Sequence, residues 1–174
     1  MNGRLIRVKV LVVTSQTPSK VLEIKCTASG VWGLPRTYVR DGEAISSAAA
    51  RVMVKQLRLE FPLVRAVGID HAPSTGPDGA PDTLTFVMEG GRVSDDTARY
   101  LERAPKSDRR LAPVRWTALD DLAYAPPVVR YAVAMQYTDT LTVAVLTDGL
   151  TDMEMCASTA AKGALLNGEA RRSS

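Results

Sequence analysis

Histidine, cysteine and aromatic residues are all scarce in this chain. One histidine and two cysteines, Cys26 and Cys156, are too few for a zinc site built from nitrogen and sulfur ligands. The cysteines lie far apart in sequence, so two reduced thiols in a cytoplasmic protein are the default, with a disulfide left open. No run of about 18 apolar residues occurs, so no transmembrane helix and no membrane partner are expected. The opening MNGRLIRVKVLVV moves straight into a strand-like pattern and has no small-residue cleavage site, so no signal peptide is expected. Aromatics make up only 5%, and no basic run is interleaved with them, which argues against nucleic acid as a partner.

What is present is ordinary in amount and uneven in placement. Hydrophobic residues make up 45% and charged residues 24% of 174, enough for one domain with a buried core. Net charge is +3, yet residues 1–60 hold ten Lys or Arg against four Asp or Glu, and the remainder is net acidic. A cationic N-terminal third favours anionic ligands or acidic partners. Scattered charges on strand edges and loops are the plainer account.

Arg4 to Val13 alternates and then runs apolar, which suits a buried strand, and VLEIKC from Val21 to Cys26 reads as its hairpin partner. An alanine-rich helix is expected from about Ser46 to Arg58, with Ser46 or Ser47 as N-cap and a buried face drawn from Ala48, Ala49, Met53 and Leu57. Val64 to Asp70 and Thr83 to Met88 follow as strands, the second ended by Gly90-Gly91. A short helix from Ser94 to Glu102 precedes a basic loop with Lys106, Arg109 and Arg110. Pro127 to Tyr137 reads as a helix with proline in its first turn. Thr140 to Thr147 reads as one more strand, at a sheet edge or an oligomer contact. Residues 1–146 form one unit and 147–174 a poorly patterned tail, frayed or disordered from Cys156 on. Pattern alone supports α/β or α+β.

The stretch from Trp32 to Leu59 reads WGLPRTYVRDGEAISSAAARVMVKQLRL. Gly42 precedes Glu43, Arg51 follows Glu43 by eight residues, and Met53 and Leu59 are bulky aliphatics. The segment resembles the Nudix signature, Gx5Ex7REUxEExGU with U aliphatic, and Trp32, Leu34 and Pro35 resemble its WxLPGG-like lead-in. Spacing agrees over 23 positions, and the order of elements from about residue 4 to 137 agrees as well. The resemblance implies an α/β/α sandwich with a mixed, partly barrel-like sheet. It also implies diphosphate cleavage with Mg²⁺ or Mn²⁺ held by glutamates of the box helix, since hard cations want carboxylate oxygens. Those three glutamates fall here on Val52, Lys55 and Gln56, and the two signature glycines on Thr37 and Arg58. An ammonium repels Mg²⁺ and an amide is a weak ligand, so the frame is kept without its metal chemistry.

The resemblance therefore implies a catalytically degenerate Nudix-fold protein that binds a nucleotide-like or other phosphorylated small molecule with no metal cofactor. The ligand-binding candidates are Arg36, Glu43, Arg51, Lys55, Gln56 and Arg110. Lys55 can present its own charge to a phosphate, as a point charge and not a Lewis acid. Glu43 and Arg51 are read first as a charge-assisted bond that fixes loop and helix. His71 is an ordinary surface histidine or a general base, and Trp32 and Trp116 anchor loops and core or stack on a base. Asp82, Glu89, Glu102, Asp120 and Asp121 have no spacing that suggests a rebuilt metal site. The alternatives are a hydrolase of nucleoside diphosphate-linked substrates with other metal ligands, a metal-free enzyme in the old cleft, and a scaffold acting through a protein partner or a homodimer.

Overall fold

The computed structural model describes residues 4–16, 18–26, 29–60, 65–76, 79–107, 112–136 and 143–151. Its centre is strand β1 (Leu5–Thr14), on which Val8, Val10 and Val12 join one apolar cluster and Leu11 and Val13 the other. A strand buried on both faces reads as a near-continuous apolar run, which is what VLVV shows. Along one edge β1 pairs in parallel with β6 (Thr83–Val93). Its other edge is divided. β4 (Arg36–Tyr38) pairs with Arg7 to Lys9, and β2 (Lys20–Lys25) pairs with β1 at Val13 and Val21. β2 continues beside β3 (Trp32–Gly33) and carries β7 (Val114–Ala118) on its far edge. Beyond β6 come β5 (Ala66–Ala72), antiparallel, and β8 (Ala144–Thr147), parallel to β5. The order β3-β2-β1-β6-β5-β8 gives a mixed sheet that does not close among the described residues.

Helices cover both faces. α1 (Ile45–Leu57) lays Ala48, Ala49, Val52, Met53 and Leu57 on the side of Val8, Val10 and Val12, joined by Ala98 and Leu101 of α2 (Asp95–Ser107). On the other side Val128, Val129, Ala132 and Val133 of α3 (Pro127–Gln136) pack against Leu11, Val13 and Val67. This is the α/β/α sandwich.

Several expectations need correction. Neither Ser46 nor Ser47 caps α1: Ala44 is the N-cap, extended and without a side-chain cap, and its carbonyl accepts the Ala48 amide at 3.0 Å. Entry is fixed one step earlier, by the turn at Gly42, whose φ of 74° suits glycine. Gly90-Gly91 does not end β6, which runs on to Val93. The register shifts there, with Leu11 opposite Glu89 and Val13 opposite Arg92, so the two glycines face one residue as a bulge. Gly90 also lets the strands pass closely, since a Cβ would stand 2.6 Å from Val10 Cγ1. α2 extends to Ser107, taking Lys106 into the helix; the Ser94 hydroxyl accepts the Thr97 amide at its start. Tyr137, residues 140–142, and the tail from 152 on lie outside the described residues.

Candidate functional site

The box segment folds as a clamp. The two oxygens of Glu43 receive Arg51 Nε at 2.7 Å and Arg51 Nη2 at 2.8 Å, and the Arg40 amide donates to Oε2 at 2.9 Å. Arg51 also donates to the Thr37 hydroxyl (3.2 Å) and the Tyr38 carbonyl (2.9 Å), tying α1 to β4. The Arg51 guanidinium, helped by the Arg40 amide, holds the Glu43 carboxyl down to about 2. Beyond the clamp the helix carries no acid site. Val52 is 3% exposed within the apolar cluster. Lys55 is exposed, and Gln56 is half-buried, its Oε1 without a hydrogen-bond partner among the described residues. Among the described residues no group of three or more His, Cys, Asp and Glu side chains is placed to hold a metal. An apolar wall, an ammonium and an amide do not fit a divalent cation.

A different place in the fold collects functional groups. β1 and β2 pair at Val13 and Val21 and then diverge, and the Trp32–Tyr38 segment crosses between them from β2 to β1. Under that crossing lies a cavity of about 530 Å³ on the α3 side of the sheet. Leu34, Leu122 and Val129 give it apolar walls. Lys9, Glu23, Trp32, Arg36, Arg115 and Thr117 supply its polar and aromatic lining. A second hollow of about 520 Å³, lined by Arg7, Arg36, Thr37 and Tyr38, shares Arg36 with the first. Through Thr37 the Arg51 clamp reaches the rim of this second hollow.

Cations here are unequally neutralised. Glu23, buried, takes Arg115 Nε at 2.8 Å and Nη2 at 2.7 Å, and the Thr117 hydroxyl donates to it at 2.5 Å. The Arg115 guanidinium also lies 4.7 Å from the centroid of the Trp32 ring. Lys9 is different. It stands directly opposite Arg36 across the antiparallel β1–β4 pair, and like charges so placed repel. It is 8% exposed, and among the described residues no carboxylate lies within ion-pair distance of it. Burial first, then the charges of Arg7 and Arg36, lower its ammonium from 10.5 to about 8, with Asp70 opposing them. Arg7 itself bonds the Tyr38 hydroxyl at 2.7 Å and lies over the ring.

Of the ligand-binding candidates among the described residues, only Arg36 lines this cavity. Glu43 and Arg51 meet each other, Lys55 and Gln56 stay on α1 across the sheet, and Arg110 lies outside the described residues. No residue of α1 lines either hollow. His71 bonds Asp82 through Nε2 at 2.8 Å, and Asp82 also takes Arg4. Glu89 pairs with Arg65. Trp116 packs on the α1-side cluster and donates to the Ala98 carbonyl, whereas Trp32 lines the cavity. Sequence reasoning passed over Lys9, Glu23, Arg115 and Thr117. A signal for the first two existed: each is a charge flanked on both sides by apolar residues, in VKV and LEI.

No protein-family model matches the chain by sequence, and no curated protein does. Solved structures do match by shape. The chain is similar to a MutT protein from Methanosarcina mazei, with TM-score 0.56 and 15% identity over 78% of this chain and 94% of that one. It is similar to the Nudix domain of Shewanella oneidensis NrtR complexed with ADP-ribose, with TM-score 0.55 and 15% identity over 79% and 91%. A Nudix hydrolase from Nitrosomonas europaea gives TM-score 0.55 and 19% identity over 78% and 89%. The shared property is the fold.

Proposed function

We propose that this Nudix-fold chain binds a nucleotide-like or other phosphorylated small molecule in the cavity at the β1–β2 split, without metal-dependent hydrolysis. One observation carries the reading: Lys9 and Arg36, directly opposed on a cavity wall, have no carboxylate within ion-pair distance among the described residues. A bound anion turns that repulsion into two charge-assisted interactions. The apolar walls and the Trp32 ring suit the uncharged part of such a ligand. Glu43 and Arg51 serve indirectly, by fixing the Thr37–Tyr38 strand beside Arg36. That the Shewanella NrtR domain is complexed with ADP-ribose makes this compound a sensible first ligand.

The test is thermal melting of the whole chain with ADP, ADP-ribose and inorganic phosphate, each in EDTA and in Mg²⁺. A ligand that binds only the folded state raises the melting temperature by mass action. Stabilisation that persists in EDTA is expected. Stabilisation confined to Mg²⁺, with release of phosphorylated products, would replace this reading with the hydrolase. Arg36→Ala should weaken binding on the order of tenfold, the size of one lost charge-assisted hydrogen bond.

A further inference from the structure

We propose that Lys9 is a carbonyl-reactive amine, which forms an imine with an aldehyde that carries a phosphate or carboxylate group. The inference rests on the anion-binding reading above and adds the chemical class of ligand.

Three features of the site lead there. The Lys9 amine sits on a cavity wall, is almost wholly buried, and has no carboxylate of the described residues holding it as an ammonium. Lys25 and Lys55, by contrast, are exposed, and Lys20 is half-buried at a strand start. Arg36 across the ladder is placed to hold an anionic group beside Nζ, while Leu34, Leu122 and Val129 limit competing water. The charged groups facing this amine are Arg7 on its own strand, Arg36 on β4 and Asp70 on β5, with Glu23, Arg115 and Asp121 elsewhere on the cavity wall. Their combined effect with burial leaves about a tenth of Lys9 neutral at pH 7, against roughly one in three thousand for an ordinary lysine. A desolvated lysine beside other cations is the usual route to an amine nucleophile.

The step balances without a co-reactant. Neutral Nζ adds to the carbonyl carbon, a carbon–nitrogen double bond replaces the carbon–oxygen one, and the oxygen leaves as water with both protons from Nζ. An anionic aldehyde is thus held twice, by its charge and by a reversible covalent bond.

The probe is pyridoxal 5′-phosphate, added to the whole chain at pH 7.5, reduced with borohydride and mapped by peptide mass spectrometry. Labelling at Lys9 is expected to exceed that at Lys25 and Lys55 at least tenfold. It should fall to their level with phosphate-free pyridoxal and be suppressed by excess ADP. Label spread evenly over the lysines, or equal labelling of Lys9 by both aldehydes, would overturn the proposal. ADP stabilisation in the melting experiment without a Lys9 adduct would overturn the imine alone. Absence of both would remove the binding reading with it.

Discussion

Lys9 costs the fold stability, and the cost has a definite pH signature. Its folded value of about 8 lies below the ordinary 10.5. Below about 8 both states hold the proton and the burial penalty is fully present. Between about 8 and 10.5 the unfolded chain stays protonated while the folded chain does not, so stability rises with pH through that window. The penalty at pH 7 is on the order of 3 kcal/mol. Lys9→Met, which keeps length and removes the charge, should therefore stabilise the chain at pH 7 and flatten its stability between pH 8 and 10. Urea denaturation at several pH values reads both effects; an unchanged slope in the variant would mean that Lys9 is solvated in the folded chain. The same substitution should abolish stabilisation by anionic ligands. A residue that destabilises the apo fold and is needed for binding is the familiar trade at functional sites.

Helix α1 carries the frame of the signature, and its end shows how a motif position can keep its geometry after losing its residue. Arg58 stands where the signature has its last glycine, and it adopts φ 55°, ψ 32° with its amide bonded to the Val54 carbonyl at 3.1 Å. That is a left-handed helix stop, which glycine adopts freely and an arginine adopts at a cost of about 1 kcal/mol. Arg58→Gly should therefore raise stability by about 0.5–1 kcal/mol and leave α1 in place, measured by denaturant midpoint at constant slope. A loss of stability would mean that the Arg58 side chain makes a compensating contact. Helices and most strands were legible from the sequence because their apolar periodicity was strong, and the signature spacing placed α1 to within a residue or so. The β6 continuation was not, because two glycines signal a break locally and only the neighbouring β1 turns them into a bulge. Arg36 was legible as a cation near the lead-in. Lys9 and Glu23 were marked only as charges between apolar residues; their meeting with Arg36 and Arg115 depends on how β1 and β2 diverge, which no local pattern records.

At the scale of the whole molecule, the sheet separates two candidate sites that the sequence merges into one. The signature helix lies with α2 on the face of Val8, Val10 and Val12, and the cavity with its opposed cations lies on the α3 face. Lys55, on α1, is exposed to bulk water, where its charge is screened over about 10 Å at 0.1 M salt. Lys9 is buried on the cavity wall and screened far less. Binding through the cavity therefore leads to two linked outcomes. Lys55→Glu should leave the ligand-induced melting shift within error of the parent, while Arg36→Ala reduces it. The affinity of the parent chain should fall as pH rises above about 8, when the folded chain loses the Lys9 proton that an anion needs. If Lys55→Glu abolished the shift and Arg36→Ala did not, the anion would sit on the signature-helix layer, and the cavity between β1 and β2 would be only the consequence of two strands that part around an inserted segment.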